Sequence, residues 1–419
     1  MNGPERGGGP THGGFGRFWL ECRACGRSRE AGSLRYRCAD CGGELVVRYA
    51  AAPDGWQDPA RRGVWRYRDR LPLHDPANIV SLGEGATPLV ELTGAVPGIA
   101  SVQVKCEHLN PTGSFKDRIA SVALSIVRER RLAGCVGTSS GNGGAAAAAY
   151  ASRAGVPAAL FALADTAAPK LRQIRALGGR VHLVDGLGHD AAATDSAATT
   201  IAAIAADRDL MPLLTGGRFS PEAMEGATTI AYEIAEDAPA TTVVYAPVGG
   251  GGLLSAIGRG FTAGGLIANG ARPRVVGVQP AGCPTLRPAL AGDLTGLRGP
   301  CTTTVSGLQV AVLFDGVGAV DAVRESGGHL TEVTDEEILD AQRILARRHG
   351  ILVEPAGATA FAGLLADAAA GRLDPSDRAV IVATGAGYKD AGALARLAGD
   401  DPVPRITADQ ITAAMDILR

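Results

Sequence analysis

The sequence has little net charge and no long apolar run, and both absences restrict what the protein can do. Its 419 residues carry a formal net charge of −2, which gives no global attraction to nucleic acid or to an anionic membrane. No apolar run is long enough to span a bilayer. The first residues, MNGPERGGGPTHGG, lack the apolar core of a secretory signal. We therefore expect a flexible tail over 1–19, a cytoplasmic protein, and neither nucleic acid nor a membrane as a partner.

Glycine, by contrast, is abundant, with 58 residues. This abundance suits an enzyme built from short turns between strands and closely packed helices. A chain of 419 residues is too long for one simple core and predicts two or three domains. Apolar residues make up 46% and charged residues 20% of the chain, which is ordinary for a soluble folded protein.

Four of the eight cysteines form a metal-binding pattern. Cys22, Cys25, Cys38 and Cys41 follow the spacing C-x2-C-x12-C-x2-C, which can bring four thiolates into a tetrahedron suited to zinc. Disulfides or idle thiols are the alternative. Because such a site leaves no ligand position open, the pattern predicts a structural, zinc-ribbon-like segment over 20–50. The other cysteines are scattered, as free thiols are in a reducing compartment.

Arginines cluster after this segment, between Ala50 and Pro76; they are Arg61, Arg62, Arg66, Arg68 and Arg70. A zinc-ribbon protein that binds nucleic acid or a partner through this patch is one hypothesis. We favour the simpler interpretation of a solvated surface or an interface.

Strand-like and helix-like runs alternate from Ser101 onward, which is typical of parallel α/β sheets with helices on both faces. The predicted strands are Ser101–Cys106, Gly134–Thr138, Ala158–Leu163, Arg180–Val184, Leu210–Leu214, Thr242–Val248, Arg274–Gln279 and Ala379–Ala383. Ligands of such sheets bind at the carboxyl ends of strands, so the turns that follow them are the candidate sites.

The first such turn, NPTGSFKDR, spans Asn110–Arg118. Ser114 and Asp117 predict a capped helix start with Lys116 in its first turn. A cation there opposes the helix dipole, which lowers its pKa and favours a nucleophilic amine. A lysine that binds phosphate is the alternative. Phe115 could pack on a flat ring.

The second turn, TSSGNGG, begins at Thr138. Ser139, Ser140 and the amides of Gly141–Gly143 can bind a carboxylate at the positive end of the following helix. Asn142 offers a donor and an acceptor, enough to hold a phenolic oxygen. A plain glycine-rich turn is the alternative.

Two further turns complete the set. PVGGGG, at Pro247–Gly252, follows a β-branched strand and predicts a phosphate-binding nest; a dinucleotide site is a rival. No G-x-G-x-x-G with a later acidic residue and no G-K-[ST] accompanies it, so a single phosphate fits better. ATGAGYKD, at Ala383–Asp390, places the hydroxyl of Thr384 where it could meet a ring nitrogen. Taken together, the four turns fit pyridoxal phosphate bound as a Schiff base to Lys116.

These motifs, together with EGATPL at Glu84–Leu89 and EPAGA at Glu354–Ala358, resemble the threonine synthase branch of the pyridoxal-phosphate lyases and synthases. The resemblance runs from about Cys22 to Asp390. It implies the tryptophan synthase β-like fold (fold type II), with two doubly wound parallel-sheet domains. The implied large cofactor domain covers 51–114 and 235–419, and a small substrate-binding domain covers 115–234. It further implies a small amino-acid substrate and a homodimer.

The resemblance also assigns roles to individual residues. Lys116 corresponds to the catalytic Schiff-base lysine. Its companions at the cofactor are Phe115, Asn142, Gly249, Gly250, Gly251, Gly252 and Thr384. The loop that clasps the substrate carboxylate is matched by Ser139, Ser140, Gly141 and Gly143.

One departure from the family concerns the substrate phosphate. Threonine synthases usually carry an arginine in the loop before the motif E-G-x-x-T, and here Ala223 stands in that place. Arg218 is a possible substitute with different spacing. The implied activity is a threonine synthase-like elimination followed by addition of water. The alternative is a dehydratase-like β-elimination or β-replacement on serine, threonine or an activated relative.

Overall fold

The computed structural model describes residues 16–50, 57–262, 272–297, 299–399 and 402–415. Its strands, numbered in chain order, are β1 (Phe18–Cys22), β2 (Ser28–Arg29), β3 (Leu45–Tyr49), β4 (Leu89–Glu91), β5 (Ser101–Lys105), β6 (Gly134–Ser139), β7 (Ala158–Leu163), β8 (Arg180–Val184), β9 (Leu210–Pro212), β10 (Val243–Pro247), β11 (Arg274–Pro280), β12 (Leu330–Val333) and β13 (Arg378–Val382).

The α-helices are α1 (Lys116–Arg130), α2 (Asn142–Ala154), α3 (Ala168–Ala176), α4 (Ala191–Asp207), α5 (Pro221–Asp237), α6 (Gly252–Thr262), α7 (Leu286–Leu290), α8 (Gly316–Glu325), α9 (Asp335–His349), α10 (Pro355–Ala369), α11 (Ala391–Ala398) and α12 (Ile411–Ala414). Short 3-10 helices cover Gly63–Arg70, Pro76–Asn78, Glu107–Leu109, Gly387–Lys389 and Ala408–Gln410. No helix in the described ranges has the length and apolar character needed to cross a membrane.

Two sheets carry the fold, and they confirm the predicted α/β class. The larger has six strands in the order β12-β11-β10-β13-β5-β4, and the smaller has four in the order β8-β7-β6-β9. All pairs in the smaller sheet are parallel. In the larger sheet only the edge strand β4 runs antiparallel to its neighbour. The sequence analysis did not predict β4 or β12, since runs of three or four residues are too short to show a pattern.

The larger sheet separates two apolar cores, which explains why its strands are apolar on both faces. In β10, Val243 and Tyr245 pack into one cluster, whereas Val244 and Ala246 pack into the other. Successive residues of a strand point to opposite faces, so both faces must be covered. Helix α10 packs on the first core and α6 on the second. In this doubly wound arrangement helices cover both faces of the sheet, and the ends of the strands stay accessible to a ligand.

The predicted domain boundaries stay predictions, and the elements near them are as follows. The strands of the smaller sheet, β6 to β9, lie within 115–234. The predicted boundary after residue 234 falls inside α5, which continues to Asp237. The predicted tail, 1–19, overlaps β1, which begins at Phe18. Residues 1–15 of that tail lie outside the described residues.

The amino-terminal ribbon is a three-stranded antiparallel sheet in the order β2-β1-β3. Its small core contains Phe18, Leu20, Leu45 and Val47. It docks on α5 through two tyrosines. The Tyr36 hydroxyl donates to Glu222 at 2.7 Å and the Tyr49 hydroxyl donates to Glu225 at 3.2 Å. The ribbon is therefore attached to the same helix that carries the residue at the family's arginine position, Ala223.

Candidate active site

The four predicted turns meet in one cleft at the carboxyl ends of the parallel strands. Its volume is about 980 Å³ including the open mouth, which is within the range of small-molecule sites. The predicted site residues that line it are Phe115, Lys116, Ser139, Ser140, Asn142, Gly143, Gly249, Gly250, Gly251, Gly252 and Thr384. Turns that are far apart in the chain thus contribute to one site.

Lys116 is the first residue of α1 and points into this cleft. Its Nζ donates to the Oγ1 of Thr215 at 2.8 Å and lies 4.7 Å from the centroid of the Phe115 ring. Desolvation by the surrounding protein lowers the pKa of Lys116 from 10.5 to about 8. The direction agrees with the sequence prediction, and burial is its cause. A neutral amine, the form that attacks a carbonyl, is therefore accessible near neutral pH.

The predicted capping of α1 by Ser114 is wrong. Within the described part of the chain, the Ser114 hydroxyl is buried without a hydrogen-bond partner, and α1 has no side-chain cap. Asp117 instead accepts from the amide and the hydroxyl of Thr112, both at 2.6 Å. Burial raises the pKa of Asp117 to about 7, despite these two bonds. The carboxylate therefore holds the preceding loop in place rather than the helix end.

The glycine loop between β10 and α6 also lines the cleft. Gly251 has a φ of 85°, in the left-handed region that favours glycine. The first amides of α6 have no partner within the helix, so this end of the helix suits an anion. A Cβ on Gly252 would lie 2.6 Å from the carbonyl oxygen of Thr215. Thr215 therefore contacts both the lysine and the loop.

The Ser139–Gly143 loop differs from its prediction at one residue. Ser139 Oγ accepts from the amides of Gly141 and Gly144 at 2.8 and 2.6 Å. The Gly141 amide is thus already satisfied, and Gly141 is absent from the residues that line the cleft. Ser139, Ser140 and Gly143 remain at the cleft, beside the amino terminus of α2, where a carboxylate would be favoured.

Asn142 lies deep in the cleft with its amide held on one side. Its Nδ2 donates to Glu354 Oε1 at 2.5 Å, while its buried Oδ1 has no hydrogen-bond partner among the described residues. Glu354 forms an ion pair with Lys170 at 2.9 Å. A buried amide oxygen of this kind calls for a partner, which a ligand in the cleft could provide.

Thr384 and Phe115 are joined through the backbone, because the Phe115 amide donates to the Thr384 carbonyl at 3.1 Å. Isolated bridges between Ser114 and Gly385 and between Val353 and Ala386 continue this contact. The lysine turn, the Thr384 turn and the start of α10 are therefore one connected unit.

Sequence reasoning missed several residues of the site. Thr215 follows the carboxyl end of β9, so the rule that pointed to the other turns would have found it. Lys170 gave no signal, because a lysine within α3 looks like a surface residue. The loop that contains Gly307, Gln309 and Phe314 also lines the cleft. These residues lie in no strand or helix of the described chain, so no periodic pattern predicted their place.

The four ribbon cysteines are brought together as the spacing predicted. Their sulfur atoms all lie within 4.8 Å of one another, with Cys22–Cys41 at 3.5 Å and Cys25–Cys38 at 3.7 Å. These distances are too long for disulfides. They match the edge of about 3.8 Å expected for a tetrahedron with zinc–sulfur bonds of about 2.3 Å.

Three of the five arginines in the patch lie near carboxylates of the chain. Arg61 and Arg68 lie near Asp58, at 3.3 and 3.6 Å, and Arg66 lies 3.3 Å from Glu236. These pairs support the interpretation of a surface and interface segment.

The residues of the cleft fit pyridoxal phosphate. The lysine amine has a lowered pKa, an amide oxygen of Asn142 is buried without a partner, and a glycine loop opens into a helix. These are the features that an aldehyde, a phenolic hydroxyl that donates to the amide oxygen, and a phosphate would need.

Residues 80–385 match the sequence model of the family described as pyridoxal-phosphate dependent enzymes. The chain belongs to this family, and it is an enzyme that uses pyridoxal phosphate.

Within the family, the chain is similar to threonine synthases. The threonine synthase of Methanocaldococcus jannaschii is 35% identical over 403 residues, covering 91% of this chain and 95% of that protein. The threonine synthase of Mycobacterium leprae is 35% identical over 352 residues, covering 81% and 91%. These relatives and the family confirm a threonine synthase-like lyase that acts by elimination or replacement.

Solved structures agree on the fold. Maize serine racemase is 24% identical with a TM-score of 0.62, covering 74% of this chain and 92% of that one. The processed form of threonine deaminase isoform 2 from Solanum lycopersicum is 21% identical with a TM-score of 0.59, covering 79% and 82%. The fold predicted from the sequence is thus confirmed.

Proposed function

We propose that the protein expels an oxygen-linked leaving group from an amino acid and then adds water, forming threonine from O-phosphohomoserine. The observation that carries the proposal is Lys116, whose amine has a pKa of about 8 inside a cleft that also presents the glycine loop. The threonine synthases that are 30–35% identical over most of the chain support the reaction.

Each wall of the cleft has a proposed task. Lys116 would hold the cofactor aldehyde, and the loop Gly249–Gly252 would hold its phosphate. Asn142 and Thr384 would contact the ring oxygen and the ring nitrogen, and Phe115 would pack nearby. Ser139, Ser140 and Gly143 would bind the substrate carboxylate at the positive end of α2. When bound, the cofactor supplies an electron sink for negative charge at the α-carbon of the amino acid.

The chain's own contribution is to move protons. When it is not bound to the cofactor, Lys116 Nζ would take a proton from the α-carbon of the amino acid and return one at a later position. The Thr215 hydroxyl, at 2.8 Å, orients this nitrogen. The threonine at residue 384 is uncharged, so it does not force the ring nitrogen to stay protonated, which suits prompt loss of a leaving group.

A second candidate is a dehydratase-like elimination with an uncharged leaving group. It is favoured by the lack of arginine among the described residues that line the cleft. Ala223 is fully buried, and Arg218 is engaged by Asp195 at 2.8 Å. A buried phosphate needs several charge-assisted hydrogen bonds, and the first candidate must obtain them from other groups.

Incubation with O-phosphohomoserine separates the two candidates. Release of phosphate with an equal amount of threonine supports the first. Formation of 2-oxobutyrate or pyruvate from threonine or serine, without turnover of the phosphorylated substrate, supports the second. A protein that turns over none of these would contradict both.

We further propose that Cys22, Cys25, Cys38 and Cys41 hold a structural zinc ion. Because the ribbon docks on α5 through Tyr36, removal of the metal is expected to lower the melting temperature of the whole protein. Metal analysis should give one zinc per chain, and a metal-free preparation of unchanged stability would contradict the assignment. The family resemblance also supports a cytoplasmic protein with a small amino-acid substrate. It supports a homodimer as well, and light scattering would test this by measuring the mass of the protein in solution.

A further inference from the structure

Lys170 is a cation buried directly beneath the second turn of the cleft. It lies on α3, and its side chain is 0% exposed. The side chain of Lys170 passes Gly141 so closely that a Cβ on Gly141 would lie 2.3 Å from Lys170 Cδ. Gly141 also has a φ of 117°. The glycine is therefore required twice, once for its backbone conformation and once for the passage of the lysine.

The ammonium group of Lys170 joins segments that are distant in the chain. Its Nζ lies 2.9 Å from Glu354 Oε2, at the start of α10, and donates to Ser306 Oγ at 3.2 Å. Glu354 is 1% exposed. Its other oxygen, Oε1, accepts from Asn142 Nδ2 at 2.5 Å. One chain of contacts thus runs from α3 through the start of α10 to the first residue of α2.

The carboxylate determines which end of the Asn142 amide faces it. An ionised carboxylate only accepts hydrogen bonds, so the amide must present Nδ2 to Glu354. The amide oxygen is then turned away from Glu354, where it is buried without a partner among the described residues. A carboxylate buried this deeply requires compensation, and the cation of Lys170 provides it.

An ordinary core ion pair is the simpler interpretation. Such a pair can often be replaced by apolar residues without loss of stability, so stability alone gives little reason to keep it. Here, however, Glu354 and Asn142 both line the cleft, whereas Lys170 lies behind them. The pair therefore acts on a residue that faces the ligand.

We propose that Lys170 is a positioning residue, which holds Glu354 so that the Asn142 amide keeps one orientation toward the cofactor. Lys170 itself does not touch the reacting atoms. The inference rests on the proposed role of Asn142 at the cofactor. It assigns the recognition of the ring oxygen to a relay of Lys170, Glu354 and Asn142 rather than to Asn142 alone.

The test compares Lys170→Met, which keeps length and removes charge, with Lys170→Arg, which keeps the charge. Arg172→Met, an exposed position on the same helix, is the matched control. Each full-length protein is stripped of cofactor and titrated with pyridoxal phosphate, and the visible absorption spectrum of the reloaded protein is recorded. We expect Lys170→Met to raise the dissociation constant of the cofactor about tenfold and to shift the absorption maximum. Lys170→Arg should stay within about threefold, and Arg172→Met should be unchanged.

Glu354→Gln is the second variant and decides the case if Lys170→Met fails to fold. Glutamine can both donate and accept, so it no longer fixes the orientation of Asn142. It should change affinity and spectrum in the same direction as Lys170→Met. Unchanged affinity and spectrum in either folded variant would overturn the proposal, even if its melting temperature falls, because that pattern is the one a purely structural ion pair gives.

Failure of this inference can be told from failure of the site itself. Borohydride treatment of the wild-type protein, followed by peptide mapping, should label Lys116. If Lys116 is not labelled, the proposed cofactor site is wrong. If Lys116 is labelled but Lys170→Met and Glu354→Gln bind cofactor as the wild type does, only the relay is wrong.

Discussion

Two cations in the first turns of α1, Lys116 and Arg118, meet opposite surroundings. Arg118 is 0% exposed and donates to the carboxylates of Glu107 and Glu233 at 2.7–2.8 Å. Lys116 faces the cleft, and a hydroxyl, that of Thr215, is its hydrogen-bond partner in the described structure. Two cations at the start of one helix thus differ in their partners: Arg118 has carboxylates and Lys116 has a hydroxyl.

The pKa values reflect this difference. Burial by itself lowers the pKa of Arg118, but the two carboxylates raise it well above its usual range. Burial lowers the pKa of Lys116 to about 8, and no carboxylate of the described residues opposes this shift. A cation that is paired becomes an anchor, whereas a cation that is desolvated without a counter-charge becomes a nucleophile.

The largest effect is expected from Lys116→Ala, which removes the nucleophile and the base together. Turnover should fall by at least about 10²–10⁴-fold, the usual contribution of a positioned base alone. Lys116→Arg should be equally inactive, because a guanidinium keeps the charge but does not lose its proton. Initial rates with the best substrate measure both.

The stability of the same variants sharpens the comparison. Lys116→Ala removes a desolvated cation, so the melting temperature of the cofactor-free protein should not fall. A loss of stability as large as that of an Arg118 variant would show that Lys116 is an anchor too.

Arg118→Met should instead destabilise the protein, by about 3–5 kcal/mol, because it leaves buried carboxylates without their partner. Denaturant unfolding measures the effect, with Arg128→Met as the control at an exposed position of the same helix. A change below about 1 kcal/mol would mean that Lys105, which lies 2.8 Å from Glu233, compensates for the loss.

The pH dependence of cofactor capture tests the lowered pKa directly. Lys116 is charged below a pKa of about 8 and neutral above it, and only the neutral amine reacts. The rate at which cofactor-free protein captures pyridoxal phosphate should therefore rise about tenfold from pH 7 to pH 9 and then level off. A rate that continues to rise toward pH 10.4, the value of an ordinary lysine, would contradict the comparison.

The smallest expected effect is that of Thr215→Val, which removes the hydroxyl that accepts from Lys116. Loss of one hydrogen bond of about 1 kcal/mol corresponds to about a fivefold fall in kcat. The Michaelis constant should change less, because Thr215 orients the amine rather than the substrate. An unchanged kcat would show that the packing of Phe115 alone orients Lys116.

The lengths of the regular elements explain how much of the fold the sequence could predict. Predicted and observed bounds agree for β7 and β8: β7 is an apolar run of six residues, and β8 largely alternates polar and apolar residues over five, RVHLV. The edge strand β4 has three residues and the ribbon strand β2 has two. Pairing with a neighbour defines such strands, and a short run carries no periodicity that shows it.

The residues of the candidate site also fall into two groups, those that the sequence could predict and those that it could not. Lys116, Asn142, Gly250 and Thr384 were predictable because each follows a strand in a turn of distinctive composition. The cap at Ser114 was not, because Thr112 competes for the Asp117 carboxylate. Lys170 and Glu354 meet only in the folded chain, and neither residue type nor spacing marks them as partners.

The close passage of Lys170 beside Gly141 restricts how this loop can change over evolutionary time. A methyl group at residue 141 would collide with the lysine stem, at 2.3 Å from Cδ. A larger residue there would need a shorter residue 170 and also a change of the backbone, because Gly141 has a φ of 117°. Shortening residue 170 first would leave Glu354 without its partner. The two positions are therefore epistatic, and diversification of the loop must begin at the helix behind it.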